Sequence, residues 1–405
     1  MNDVKKKIYL LVYCLLTYIF MFLTIGSAKA QNTFIADNNF NAPTGTKVFS
    51  TIQAAVNAAS PGDIIQVQPS PTTYGNVSIN ISNLTLMGIG FNVDKDIPLT
   101  SNMGDIILTN ASDNGTDADG TIIKGLNFRY LLPGTNTGTT YLLENILVHN
   151  CQFQYIYNDG GGYSPIDGFE VRDCYITSSV GGYGIYIERI ATNTIIRNNL
   201  LLRGIAFLSA TAGSNTITNN ILYDGIYVNA GSVNTKILNN NFIGATGTES
   251  AFTTELQNCD VSNNIFYGST PSIATGGGSI STLFQNNTFS NNLVYSTGDD
   301  TMPPSGGGGG NIDGGGNVAG NPDFINVSLL NTWSTAYDFT LNGGSPAENM
   351  GLDGSDIGIT GGLNPWMDTN FVLNTTSVPV IQILNTSTIL NQNVDLPIRV
   401  KAYSN

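Results

Sequence analysis

The sequence predicts an all-β chain wound as a parallel β-helix. Three observations carry the prediction: an apolar, any, Asn, Asn, any, apolar unit that recurs along the chain, alternation of apolar residues within the units, and a composition rich in Gly, Asn, Thr and Ser with few charges. The units begin at Ile123 (IKGLNF), Val148 (VHNCQF), Val171 (VRDCYI), Ile196 (IRNNLL), Ile217 (ITNNIL), Ile237 (ILNNNF), Val261 (VSNNIF) and Phe284 (FQNNTF). Successive starts lie 25, 23, 25, 21, 20, 24 and 23 residues apart. A unit this short cannot bury its own apolar face, so the copies must stack on one another. The alternation has the period of a strand, and no copy shows a helical stripe.

Two columns run through the stack. One reads Asn150, Asp173, Asn198, Asn219, Asn239, Asn263, Asn286, and the next reads Cys151, Cys174, Asn199, Asn220, Asn240, Asn264, Asn287. At a corner the chain leaves the extended conformation, and Asn tolerates the left-handed backbone region better than most residues. Stacked about 4.8 Å apart, the amides can also donate to and accept from those above and below. An asparagine ladder with a structural purpose is expected.

The remaining elements follow in order. Lys5, Lys6 and Lys7 precede a 19-residue apolar run that ends in Ala28-Lys29-Ala30, the pattern of a signal peptide over residues 1–30 with cleavage before Gln31. The same run is long enough to cross a bilayer as an uncleaved signal anchor, and either way the body faces out of the cytoplasm. A secreted or cell-surface location is therefore expected, with no membrane span in the mature chain. The body, residues 31–362, is read as the β-helix domain. "STGDDTMPPSGGGGGNIDGGG", residues 296–316, reads as a flexible excursion. Residues 363–405 form a C-terminal β tail with two alternating segments, too small for a confident separate domain.

Without residues 1–30 the chain has 28 acids against 11 Lys and Arg, a net charge near −17, which argues against a nucleic-acid partner. Three cysteines remain, too few and odd in number for a disulfide framework. Cys151 and Cys174 occupy equivalent positions on adjacent turns, so they are either bridged or two buried thiols in place of Asn.

Two further stretches extend the pattern to the ends of the domain. "FSTIQAAVNAASPGDIIQV" from Phe49 contains an amphipathic segment near 50–59 and a Pro-Gly-Asp corner, and residues 320–362 contain "GNPDFIN", "DFTLNGGSPAENMG" and "DIGITGG". With the Asn columns, these residues resemble the right-handed parallel β-helix proteins of the pectate-lyase-like superfamily, over roughly residues 36–362. The resemblance implies a helix that caps the first turn and a closing segment over 320–362. It also implies action on, or recognition of, polysaccharide by what is expected to be a monomer. That superfamily includes lyases, hydrolases, epimerases, adhesins and non-catalytic binders, so the resemblance specifies architecture far more than activity.

Chemistry-bearing residues are sparse. The second position of each unit places Lys124, His149, Arg172 and Arg197 on consecutive turns, an outward cationic stripe about 14 Å long. Such a stripe suits carboxylate or sulfate groups on a sugar chain, whereas Glu170 and Asp173 offer to neutralise it as an ordinary surface network. Tyr186 and Tyr227, with Ala206 between them, should face outward and could stack on sugar rings. The alternative is that outward aromatics favour strands and pack under loops. The Gly-rich, acidic loop from Tyr157 to Gly168 is read as a groove edge or a solvated turn. "DNGTDADG" from Asp113 offers oxygen ligands to Ca²⁺ but lacks the spacing of a calcium loop, so neither metal nor cofactor is expected. The Gly-His-Gly motif of the hydrolase branch is absent, His149 is the sole histidine, and no two neighbouring turns present clearly aligned outward carboxylates. Catalytic residues stay unnamed. The function expected is polysaccharide recognition, with cleavage, lyase- or hydrolase-like, open beside non-catalytic binding or a structural role.

Overall fold

The computed structural model describes residues 30–366 apart from 40–41, 43–44, 92–99, 110–116, 136–140, 159–162, 179–181, 210–212, 229–233, 246–248, 253–255, 274–283, 299, 305–308 and 331, together with 380–386 and 398–403. The signal segment 1–29 lies outside the described residues. Among those described, no helix is long and apolar enough to cross a membrane.

From Thr33 onward the chain is a parallel β-solenoid. Four short strands make a turn. One turn runs Ile166–Asp167, Glu170–Arg172, Tyr175–Ile176 and Tyr183–Ile187; the next runs Ala191–Thr192, Ile195–Arg197, Leu200–Leu201 and Gly204–Phe207. Each strand pairs in parallel with its counterpart on the neighbouring turns. The second strands build a 13-stranded sheet, and the third and fourth strands share a 16-stranded one because Gln152–Asn158 is long enough to pair with both of the following turn's strands. The inward residue of each second strand, from Ile65 and Leu86 through Ile123, Val148, Val171, Ile196, Ile217 and Ile237 to Val261 and Phe289, has no exposed surface. These side chains stack into one continuous core, each contributing about 1.5–3 kcal/mol by leaving water.

At the start, the helix Ile52–Ala58 is capped by Thr51, whose hydroxyl accepts from the Ala54 amide at 3.1 Å. Ile52, Ala55 and Val56 share one helical face and are buried in the core of the first turns.

The corner after each second strand explains the paired asparagines. The first member, Asn198, Asn219, Asn239, Asn263 or Asn291, sits at φ of 52–58°, the left-handed region, as do Asn150 and Asp173. The second member points inward. Asn199 donates through its backbone N–H and its Nδ2 to Asn220 Oδ1, both at 3.0 Å, and the pattern repeats from Asn220 to Asn240, Asn240 to Asn264, Asn264 to Asn292 and Asn292 to Asn317. Remaining Nδ2 hydrogens reach carbonyls, such as Asn220 to Ile196 O at 2.8 Å. The inner corner amides therefore satisfy backbone that the turn leaves unpaired.

Two expectations about this column are corrected. Phe284–Gln285 pairs with Leu256–Gln257, not with the second-strand stack, so Asn286 and Asn287 occupy the preceding corner beside Asn258 and Cys259. The column continues instead through Asn291 and Asn292, on the strand Thr288–Ser290 that pairs with Asp260–Ser262. Both corners use the same Asn chemistry, and a longer turn between them makes the wrong pair appear at the right spacing. The Gly-rich stretch is also shorter as an excursion than expected. Ile312–Gly315 and Val318–Ala319 add strands to the two large sheets, with Asn317 ending the column.

Cys151 and Cys174 are free thiols, buried in the Asn column. Cys174 Sγ takes the place of an amide oxygen, accepting from the Cys151 N–H at 3.4 Å. Burial pushes its thiol well above the ordinary range, which keeps it neutral.

The closing segment folds back along the outside instead of ending at the last turn. Phe324–Asn326 pairs antiparallel with Asp338–Leu341, and Phe324, Tyr337, Phe339, Ala347, Ile357 and Ile359 cover Leu200, Ile221, Tyr223, Ile243, Ile265, Tyr267 and Leu293 in a second core. The left-handed asparagines clamp it. Asn291 donates to Met350 O at 2.6 Å, Asn219 to Gly361 O at 2.8 Å and Asn198 to Asn364 O at 2.8 Å, while Asn263 Oδ1 accepts from Leu352 N at 3.1 Å. In the tail, Val380–Thr386 and Ile398–Tyr403 form an antiparallel hairpin.

Replacing Asn220 with Ala removes the acceptor of Asn199 and strands buried carbonyls, so the urea midpoint should fall by the equivalent of about 3 kcal/mol. Cys174→Asn should instead extend the column and raise stability by about 1 kcal/mol.

Candidate functional site

The four expected cations fall in one register. Lys124, His149, Arg172 and Arg197 are successive Cα partners across the second-strand stack. Two carboxylates between them absorb most of their charge. Asp173 Oδ2 lies 3.1 Å from both His149 Nε2 and Arg172 Nη1, and Glu170 Oε1 lies 3.3 Å from Arg172 Nε and 2.8 Å from Arg197 Nη2. Lys124 takes part in no ion pair among the described residues. The column is a knitted, half-buried network, and its guanidinium groups are already engaged.

The two expected tyrosines belong to a much larger arrangement. In the fourth-strand stack Tyr186 is the partner of Ala206, and Ala206 of Tyr227. Tyr183 lies 6.2 Å from Tyr186 and 6.4 Å from Tyr227 between ring centroids, and Ala206 beneath them has no exposed surface. On the preceding turns Tyr157 stacks on Tyr186 at 5.4 Å and 29°, and Tyr155 stacks on Tyr130 at 4.1 Å and 18°. Edge contacts join Tyr155 to Tyr157 at 6.3 Å and Tyr157 to Tyr163 at 6.1 Å. Seven half-buried tyrosines, drawn from four of five successive turns, thus form one continuous outward surface.

A fixed cation ends this surface. Arg129 holds Asp105 through Nε at 2.8 Å and Nη2 at 2.6 Å, and its Cζ lies 4.5 Å from the centroid of the Tyr130 ring. The Asp105 hydrogen bonds, more than its Coulomb attraction, raise the Arg129 pKa. Desolvation, helped by the hydrogen bond with Tyr130, pushes the Tyr155 hydroxyl up to about 12.

The expectation that no outward carboxylates align is overturned. Glu144 and Asp167 are Cα partners in the first-strand stack, with Thr192 next in line. Asp119 Oδ1 accepts from the Glu144 backbone N–H at 2.7 Å, which places a third acid on the adjoining turn. Asp167 Oδ1 accepts from the Thr192 hydroxyl at 2.5 Å and from Asn193 Nδ2 at 2.7 Å. Desolvation, reinforced by the charges of Asp117 and Glu144, lifts Asp119 to about 6. A carboxyl whose pKa is raised to about 6, standing beside other acids, has the make-up of a general acid–base group. The loop with Tyr163 connects the tyrosine stack to the strand of Asp167 in chain order. Of the acidic segment read as a turn with oxygen atoms that Ca²⁺ could use, residues 113–116 lie outside the described residues, and no three ligating side chains converge as a metal site among those described.

The alternation did not lead to the residues it missed. In Gln152–Asn158 the inward residues are Phe153, Ile156 and Asn158, so the pattern shifts by one residue at Gln154 and Tyr155, and strict alternation from Phe153 would have turned Tyr155 and Tyr157 inward. Arg129 and Tyr130 shift in the same way between the buried Phe128 and Leu131. The aligned acids had no mark either, because Gly and Asn corners of varied spacing separate them.

No protein-family model and no curated protein matches this chain. Among solved structures it is similar to DFA-IIIase from Arthrobacter chlorophenolicus A6 in complex with GF2, at 15% identity over 58% of this chain and 70% of the other, with a TM-score of 0.36. It is also similar to the GH136 lacto-N-biosidase from Eubacterium ramulus, at 9% identity over 65% and 64% of the two chains and a TM-score of 0.33. An alginate lyase from Paenibacillus sp. str. FPU-7 matches at 17% identity over 72% of this chain and 94% of the other, with a TM-score of 0.29.

Asp119 has a raised folded-state pKa, so its favourable contribution is complete below the unfolded value near 3.8 and is lost as pH rises through about 6. Asp119→Asn keeps an acceptor for the Glu144 amide without the charge. At pH 8 the variant should be more stable than wild type by about 1 kcal/mol, a value discounted for solvent screening, and the advantage should vanish below about pH 4. Thermal melts across that range measure it.

Proposed function

We propose that this chain is an exported β-solenoid that recognises polysaccharide along its tyrosine surface. The supporting observation is the surface itself: seven ring faces and edges, in contact over a span of five turns. A sugar chain offers apolar C–H faces at regular spacing, and preformed aromatic platforms bind such faces at little cost in conformational entropy. Tyrosine hydroxyls and the Arg129–Asp105 pair supply polar groups at the margin. Tyr186 and Tyr227 keep their expected role within this surface. Lys124, His149, Arg172 and Arg197 are assigned a smaller one, since Glu170 and Asp173 already occupy the arginines.

A second function, glycosidic hydrolysis, is favoured by one observation: Asp119, with its raised pKa, accepts from the Glu144 backbone N–H beside the aligned Glu144 and Asp167. Inverting and retaining hydrolysis both need one protonated and one ionised carboxyl flanking the bond. Export rests on the basic, apolar and small-residue pattern of residues 1–30. In an exporting host the mature chain should begin at Gln31, as N-terminal sequencing would read.

Affinity electrophoresis against neutral and uronic-acid polysaccharides tests recognition. Tyr157→Ala, at the centre of the surface, should weaken retention roughly tenfold, about 1.4 kcal/mol, while Arg172→Gln should change it by less than about threefold. Equal retention of wild type and Tyr157→Ala would exclude the tyrosine surface. New reducing ends, abolished by Asp119→Asn or Glu144→Gln, would establish hydrolysis; an increase in unsaturated product would indicate elimination instead.

A further inference from the structure

The returning segment stops short of covering the whole third-strand face, and a cleft of about 320 Å³ opens where it leaves off. Tyr175, Leu202 and Tyr223 line it from three successive turns, and Trp333 of the returning segment closes the far side. The walls are preformed. Trp333 meets Tyr223 edge-on at 6.3 Å and is held from behind by Tyr337 at 5.9 Å and by Phe339, parallel to it at 6.5 Å.

Two observations show what the cleft lacks. Tyr223 is 3% exposed, and its hydroxyl has no hydrogen-bond partner. A buried, unpaired hydroxyl is a free-energy cost that native structures rarely retain without a use. At the mouth stands Arg203, exposed and, unlike Arg129, Arg172 and Arg197, in no ion pair among the described residues. Aromatic walls, one unsatisfied hydroxyl inside and one uncompensated guanidinium outside define a complementary ligand: a small ring with an apolar face, a hydroxyl and a carboxylate. The volume is at the small end of ligand sites, roughly 300–1,000 Å³, and fits a single ring better than a chain.

We propose that this cleft binds one uronic-acid residue, its ring between Tyr175 and Trp333, a hydroxyl on Tyr223 and its carboxylate on Arg203. The choice of a sugar rests on the polysaccharide function proposed above, but the residues are separate from the tyrosine surface. The cleft would then select acidic chains, or their ends, for a protein whose main surface discriminates little by charge.

The test is a titration of the protein with D-glucuronic acid, and in parallel with D-glucose, followed by tryptophan fluorescence. The chain has two tryptophans, Trp333 and Trp366, so Trp333→Phe assigns the signal. A saturable change with glucuronate is expected, lost in Trp333→Phe and at least about tenfold weaker for glucose. Arg203→Gln should weaken glucuronate about tenfold and leave glucose unaltered. Tyr223→Phe should weaken both sugars yet melt no lower than wild type, since it removes an unpaired buried hydroxyl. No saturable change, equal affinity for the two sugars, or an unaffected Arg203→Gln would overturn the proposal. Tyr157→Ala separates the two sites. If polysaccharide retention fails in wild type while glucuronate still binds, the tyrosine surface falls and the cleft stands; the converse removes the cleft alone.

Discussion

The structure depends on one constraint, the need to turn a parallel chain sharply every few residues without leaving backbone unpaired. Two adjacent asparagines solve its two halves. The outer one accepts a left-handed backbone that would strain most residues, and the inner one replaces the lost ladder hydrogen bonds with amide bonds to the turn above. Because each inner amide also reaches a carbonyl beside the core, the column joins the corner to the packed apolar stack. Where cysteine replaces it, the turn survives on a weaker thiol contact and the surrounding core.

The outer asparagines have a second consequence. Their amides project from the corner and bind the backbone of the returning segment, so the same column that turns the chain also fixes what covers its third-strand face. Apolar outward residues on that face, Ile221, Ile265 and Leu293 among them, would otherwise be exposed. With most of that face covered and the second-strand face occupied by its own ion pairs, the fourth-strand face is left as the broad aromatic surface. Function is thus confined by what the scaffold has already used.

Much of this was legible in the residues. The repeat, its strand period and the corner chemistry led to the solenoid, and the alternation placed Tyr186, Ala206 and Tyr227 in their observed column. Two errors have a common cause. Assigning Asn286 and Asn287 to the main column, and overlooking the alignment of Glu144 with Asp167, both arise because two corners of one turn share the same residue preferences. A short motif states that a corner is present and not which corner it is. The ion network is the opposite case: the sequence named every participant, and geometry decided between a free stripe and a neutralised one.

By itself the sequence determined the period, the inward and outward faces of the second strands and the residues able to turn the chain. These are local properties, set by backbone sterics and by the two-residue alternation of a strand. Only the tertiary structure decided which outward residues share a surface, because that depends on turn lengths summed over hundreds of residues. It alone brought seven tyrosines from separate turns into contact, paired Glu170 with an arginine 27 residues away and carried Trp333 back onto Tyr223. Register accumulates along a solenoid, and a side chain's neighbours on the next turn are its chemistry.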